Sequence, residues 1–158
     1  MKELLKPEEI ELFNKAGHFE KLAAQTYEHL ANLSRMKGLF GCEKYFLAEA
    51  KEEDKHFQKL AKFLNDMGVV ICMPMLDEQD EDVETIDEMF EKAYEMELNL
   101  LEYYESIDEE LPNRCENIIL EMIENQVKAV GEYGDLLARL EITGDNVIVF
   151  DQEIGNGL

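Results

Sequence analysis

The 158-residue chain carries 37 acidic against 15 basic residues, a formal net charge of −22, with 46% apolar residues. That length fits one domain with a real core, and so negative a chain argues against nucleic acid or an anionic membrane surface as partner. Cys42, Cys72 and Cys115 are odd in number and form no C-x-x-C pair, which excludes a disulfide framework and a zinc site and fits reduced thiols in a cytoplasm.

Residues 1–7 hold no apolar run long enough for a secretory leader. The longest apolar run, Val69 to Met73, is too short to cross a membrane. Pro7, followed by Glu8 and Glu9, predicts a helix start, with proline in the first turn and acids at the positive end of the dipole. A 3.6-residue pattern then runs through Ile10, Phe13, Leu22, Leu30 and Leu33, punctuated by Gly38 and Gly41. A second helix is predicted from about Glu43 through Phe46, Ala50, Phe57, Leu60 and Leu64, with Gly68 as its C-terminal cap. The segment from Val69 to Val83 is long for a loop, long enough to let the chain cross the length of a bundle. Its acidic stretch, Asp77 to Asp82, lacks the glycine and spacing of a calcium loop and reads as a solvated approach to the next helix.

Thr85 with Glu88 three residues on forms a capping box that starts the third helix, which continues through Phe90, Ala93, Leu100, Tyr104 and Ile107. Leu111-Pro112-Asn113 breaks it. The fourth helix runs from about Arg114 through Ile119, Met122, Ala129, Tyr133, Leu136 and Leu140 to Gly144. The tail, 144–158, is expected to be extended or a short docking segment, because Val147-Ile148-Val149-Phe150 is β-branched and lacks helical periodicity. The predicted fold is therefore a single all-α domain, a four-helix bundle over about residues 8–143 with a long crossover between helices 2 and 3.

Each predicted helix carries a polar residue inside its apolar stripe. Glu20 lies seven residues from Phe13 and Tyr27, Glu53 from Phe46 and Leu60, Glu97 from Phe90 and Tyr104, and Gln126 from Ile119 and Tyr133. His56 lies one turn from Glu53, so the second helix presents a Glu-x-x-His pair on one face. A buried unpaired carboxylate costs several kcal/mol, and three of them rival a domain's whole stability of about 5–15 kcal/mol. No basic residue accompanies them on the inner stripes. Two divalent cations would neutralise the carboxylates and take His56 as a nitrogen ligand, a donor set suited to Fe(II) or Mn(II), with zinc and cobalt as competitors.

In order and spacing these residues resemble the ferritins. Glu20 with Tyr27, Glu53-x-x-His56 and Glu97 match that family's ferroxidase centre, and Gln126-Val127-Lys128-Ala129-Val130 resembles the animal heavy-chain type. Thr85-Ile86-Asp87-Glu88-Met89-Phe90 and the tail around Phe150-Asp151 are closer to bacterial ferritins. The resemblance implies a ferritin-like bundle whose first iron site is Glu20, Glu53 and His56. Its second site would be Glu53 and Glu97 with Gln126 nearby, and Tyr27 would bond a ligand and donate one electron. The implied reaction is oxidation of two Fe(II) by dioxygen or hydrogen peroxide, the ferric product being stored as mineral in a homo-oligomeric shell of 24 chains. Gln126 and Ala129 stand where a symmetric di-iron enzyme has a second Glu-x-x-His, and Asp54 stands where a haem-ligating methionine would follow the glutamate, so no haem is expected. Asn125, Lys128 and Ala129 leave only Glu52 toward a third iron site. Cys115-Glu116 resembles the start of a channel lining, with Ile119 in place of its second acid. Two other readings stay open: a ferritin-like di-iron oxidase or peroxidase that stores nothing, and an acidic helical bundle that buffers metal without catalysis.

Overall fold

The computed structural model describes residues 2–79 and 82–157; Asp80 and Glu81 of the acidic stretch lie outside the described residues. Among these the chain forms five helices and no strand: α1 Pro7–Met36, α2 Phe40–Asp66, α3 Ile86–Asp108, α4 Glu116–Thr143 and α5 Val147–Gly155. A 3-10 turn, Asn113–Cys115, leads into α4. Pro7 opens α1, and the Glu9 side chain accepts the Lys6 backbone N–H at 2.8 Å. Thr85 and Glu88 close the predicted reciprocal capping box on α3. Gly68, at φ +81, supplies the left-handed turn that ends the second helix.

α1 packs chiefly on α2, and α3 on α4. The crossover between α2 and α3 runs along α1. The Asn14 side chain accepts from Cys72 N, and Gln79 Nε2 donates to Gln25 and Thr26. Gly17 permits this path, since a Cβ there would sit 2.9 Å from Ile71 Cδ1. The core divides into two apolar clusters. One gathers Phe46, Phe90, Tyr27 and Tyr133 beneath α5; the other gathers Phe13, Phe57, Leu60, Leu64 and Ile107 at the opposite end. The polar residues of the inner stripes lie between them.

Two expectations need correction. The second helix begins at Phe40, so Gly41 lies inside its first turn and does not precede it. The tail is helical, not extended: Val147–Gly155 forms α5, and it docks. The reason is tertiary. Asp151 accepts the backbone N–H groups of Gly41 and Cys42 at 3.1 and 2.8 Å, satisfying donors that the first turn of α2 leaves open. Phe150 stands edge-on to Phe90 at 5.2 Å, and Ile154 is buried beside it. These contacts override a weak local preference for extended backbone. The two helices meet through glycines: a Cβ on Gly41 would lie 1.9 Å from the Asp151 carbonyl, and one on Gly155 2.8 Å from Gly41 Cα.

Gly41→Ala is expected to push α5 off α2 and to cost about 1–3 kcal/mol as an overpacking change. Thermal unfolding measures the loss, and limited proteolysis should show new cleavage within residues 145–157 while the bundle stays intact.

Candidate metal centre

Glu20 on α1, Glu53 on α2, Glu97 on α3 and Gln126 on α4 are all buried, at 0%, 3%, 0% and 1% exposure. Four helices thus bring together the four polar residues that sequence spacing places on their inner faces. Ligand atoms of Glu20, Glu53 and His56 lie within 4.8 Å of one another. His56 Nδ1 is 3.4 Å from Glu53 Oε2 and 3.5 Å from Glu20 Oε2. Among the described residues Glu20 Oε2 is buried with no hydrogen-bond partner, a demand that a cation or a proton would meet. Glu97 lies outside that tightest group. Its Oε2 accepts from Gln126 Nε2 at 2.6 Å and its other oxygen accepts from the Tyr27 hydroxyl. Gln126 also donates to the Glu97 carbonyl.

Glu53 lies close enough to both Glu20 and Glu97 to feel their charges. Burial first, then the charge of Glu20, pushes its carboxyl well above the usual range. Burial likewise raises Glu97. For Glu20 burial is again the largest influence and works upward, yet the neighbouring Glu53 carboxyl, the His56 imidazole and the Tyr104 hydroxyl together hold it below the usual range. On His56 burial works downward, and the carboxylate of Glu20 outweighs it, so the imidazole is raised.

Sequence spacing placed Tyr104 and Tyr133 on the inner stripes but assigned them no role. In the structure the Tyr104 hydroxyl donates to Glu20 Oε1 at 2.6 Å. The signal was present: Tyr104 follows Glu97 by the same seven residues by which Tyr27 follows Glu20. Tyr133 stacks on Tyr27 at 6.1 Å and donates to Glu49 Oε2 at 3.3 Å. Glu49, one turn before Glu53, is half-buried, and burial followed by the charges of Glu97 and Glu132 raises it to about 7. Glu52 turns outward to Lys55 at 2.7 Å, and Asp54 pairs with Lys21, whose ammonium stands 4.7 Å over the Phe57 ring.

Residues 10–143 match the family profile for the ferritin-like domain, and the chain belongs to the ferritin family. A bacterial non-haem ferritin of Campylobacter jejuni is 23% identical over 154 residues, spanning 84% of this chain and 89% of its own length. A probable bacterial non-haem ferritin-like protein of Haemophilus influenzae is 21% identical and spans 93% of each chain. Among solved structures, an open-pore ferritin of the archaeon Archaeoglobus fulgidus superposes with a TM-score of 0.91 at 20% identity over 96% of both chains. A humanised archaeal ferritin gives 0.88 at 22% identity, over 96% of this chain and 97% of its own. At these identities the structural likeness establishes the fold.

The raised groups set a pH dependence. A carboxyl raised on folding contributes stability that is complete below its unfolded value of about 4.3 and is lost as the pH climbs through its folded value. For Glu49 that folded value is about 7, and Glu53, Glu97 and the raised imidazole of His56 work in the same sense. The melting temperature of metal-free protein should fall between about pH 5 and 7. In scanning calorimetry Glu49→Gln should flatten part of that fall, and saturating Zn(II) should remove most of it.

Proposed function

We propose that this chain is an iron-storage ferroxidase. It takes up two Fe(II) as substrate in the bundle core, oxidises them to Fe(III) with dioxygen or hydrogen peroxide, and delivers the product to a mineral held inside a shell of like chains. The observation that carries this reading is the convergence of Glu20, Glu53, His56, Glu97 and Gln126 from four helices on a buried position with an orphaned carboxylate oxygen. Family membership supports it independently.

In this reading Glu20 and His56 hold the first iron, Glu97 the second, and Glu53 serves both. Carboxylate oxygens with one imidazole favour Fe(II) over softer metals. Tyr27 and Gln126 fix the rotamer of Glu97, and Tyr104 that of Glu20, so the carboxylates are preorganised and lose little freedom on binding. Gln126 offers an amide in place of an anion, and Ala129 offers no donor. The Glu97 side therefore binds more weakly, which suits an iron that must move on. The buried carboxyls release their protons as the cations enter.

Assembly into a closed homo-oligomer is supported by apolar surface on the crossover: Val70, Met73 and Met75 are 85%, 67% and 93% exposed. α1, the crossover and α3 also form a groove of about 430 Å³ lined in part by Phe19, Leu22, Met96 and Leu100. A shell of 24 chains would weigh about 440 kDa and a dimer about 37 kDa, given an 18.3-kDa chain. Native mass spectrometry separates storage from a non-storing dimeric oxidase. In stopped flow at two Fe(II) per chain, a fast phase is expected that His56→Ala slows by at least about tenfold with helicity unchanged. Equal rates in both proteins would refute the ferroxidase assignment.

A further inference from the structure

Two tyrosines touch the carboxylates of the centre, and they do so reciprocally. Tyr27 stands on α1 seven residues after Glu20, and its hydroxyl donates across to Glu97 on α3. Tyr104 stands on α3 seven residues after Glu97, and its hydroxyl donates across to Glu20 on α1 at 2.6 Å. Both are fully buried. The same two-residue device is thus built twice, once for each side of the site.

Each tyrosine also begins a line of phenols toward the surface. Tyr27 stacks on Tyr133 at 6.1 Å, and Tyr133 meets the half-buried Tyr45 edge-on at 6.1 Å. Tyr104 meets the half-buried Tyr103 at 5.9 Å. Five of the chain's six tyrosines belong to these two lines. Packing alone does not call for them. A stripe position in an apolar core is filled equally well by phenylalanine, which the neighbouring heptads use at Phe13, Phe46 and Phe90. A phenol there adds a polar group whose burial must be compensated.

We propose that Tyr104 is a second one-electron, one-proton donor to the iron site, serving the Glu20 side as Tyr27 serves the Glu97 side. The inference rests on the ferroxidase reading. Reduction of one dioxygen to two waters takes four electrons and four protons. Two Fe(II) supply two electrons as they become Fe(III). The Tyr27 and Tyr104 phenols supply the other two: each O–H bond breaks, the electron goes to oxygen, and the proton passes to the carboxylate that accepts the hydrogen bond and on to the oxygen product. Two more protons come from solvent. The products are two Fe(III), two tyrosyl radicals and two waters, with no hydrogen peroxide released. Tyr103 on one side and Tyr133 with Tyr45 on the other then carry an electron inward from a further Fe(II) to each radical, which regains its proton from water.

The test uses the assembled wild-type protein with Tyr104→Phe, Tyr27→Phe and the double variant, each given two Fe(II) per chain in air-saturated buffer. Freeze-quench electron paramagnetic resonance reads the tyrosyl radical, and a peroxidase-coupled dye reads released hydrogen peroxide. Each single variant should lower the radical yield and release peroxide; the double variant should give no site radical and one peroxide per two Fe(II). Fluorinated tyrosine placed at position 104 keeps the hydrogen bond and should add fluorine splitting to the radical signal. Zn(II) affinity, measured by calorimetry, should stay at the wild-type value in the fluorotyrosine protein, which keeps the hydrogen bond to Glu20. Wild-type radical and peroxide yields in Tyr104→Phe, or a signal without fluorine splitting, would overturn the inference alone. So would reduced Zn(II) affinity with an unaltered radical in Tyr104→Phe, because Tyr104 would then only position Glu20. Absence of fast Fe(II) oxidation in wild type would overturn the ferroxidase reading and this inference with it.

Discussion

Three glutamates buried in one bundle core, with no lysine or arginine among them, set the terms for the rest of this structure. Their mutual repulsion and lost hydration work against folding. The protein answers with protons and neutral donors. Burial and the charge of Glu20 push the Glu53 carboxyl well above the usual range, while Tyr27, Tyr104 and the Gln126 amide donate to the outer two. Every donor is uncharged, so each is retained when cations replace the protons. A lysine in the same place would stabilise the empty site and exclude metal.

That layer is held by apolar packing on both sides. Phe46, Phe90 and Tyr133 form the floor under α5, and Phe57, Leu60 and Leu100 belong to the cluster at the other end. Dry surroundings strengthen each carboxylate hydrogen bond and raise the affinity for a divalent ion. The crossover matters for the same reason. By lying along α1 through Asn14, Gln25 and Thr26 it returns the chain to the far end of the bundle, so α3 delivers Glu97 opposite Glu20.

The site is asymmetric in charge and nearly symmetric in its tyrosines. Glu20 is matched by Glu97 and Tyr27 by Tyr104, but Glu53 with His56 faces Gln126 with Ala129. In the proposed reaction the first asymmetry lets one iron bind less firmly. The symmetry gives both halves the same access to electrons.

Much of this was legible in the sequence. Period and caps marked four helices, and the seven-residue spacing of Phe13, Glu20 and Tyr27, repeated on three more helices, put the polar residues on one inner layer, because helical geometry fixes which residues share a face. Chain chemistry therefore determined the donor set and the bundle. Tertiary structure decided what depends on neighbours distant in sequence. It coiled Val147–Gly155 into α5 through the Asp151 bonds to the first turn of α2, gained over about 110 residues of separation. It also decided which glutamate each tyrosine reaches, since Tyr27 and Tyr104 bond not the residues on their own helices but those across the bundle. A helical face specifies direction; the partner it meets is set by packing.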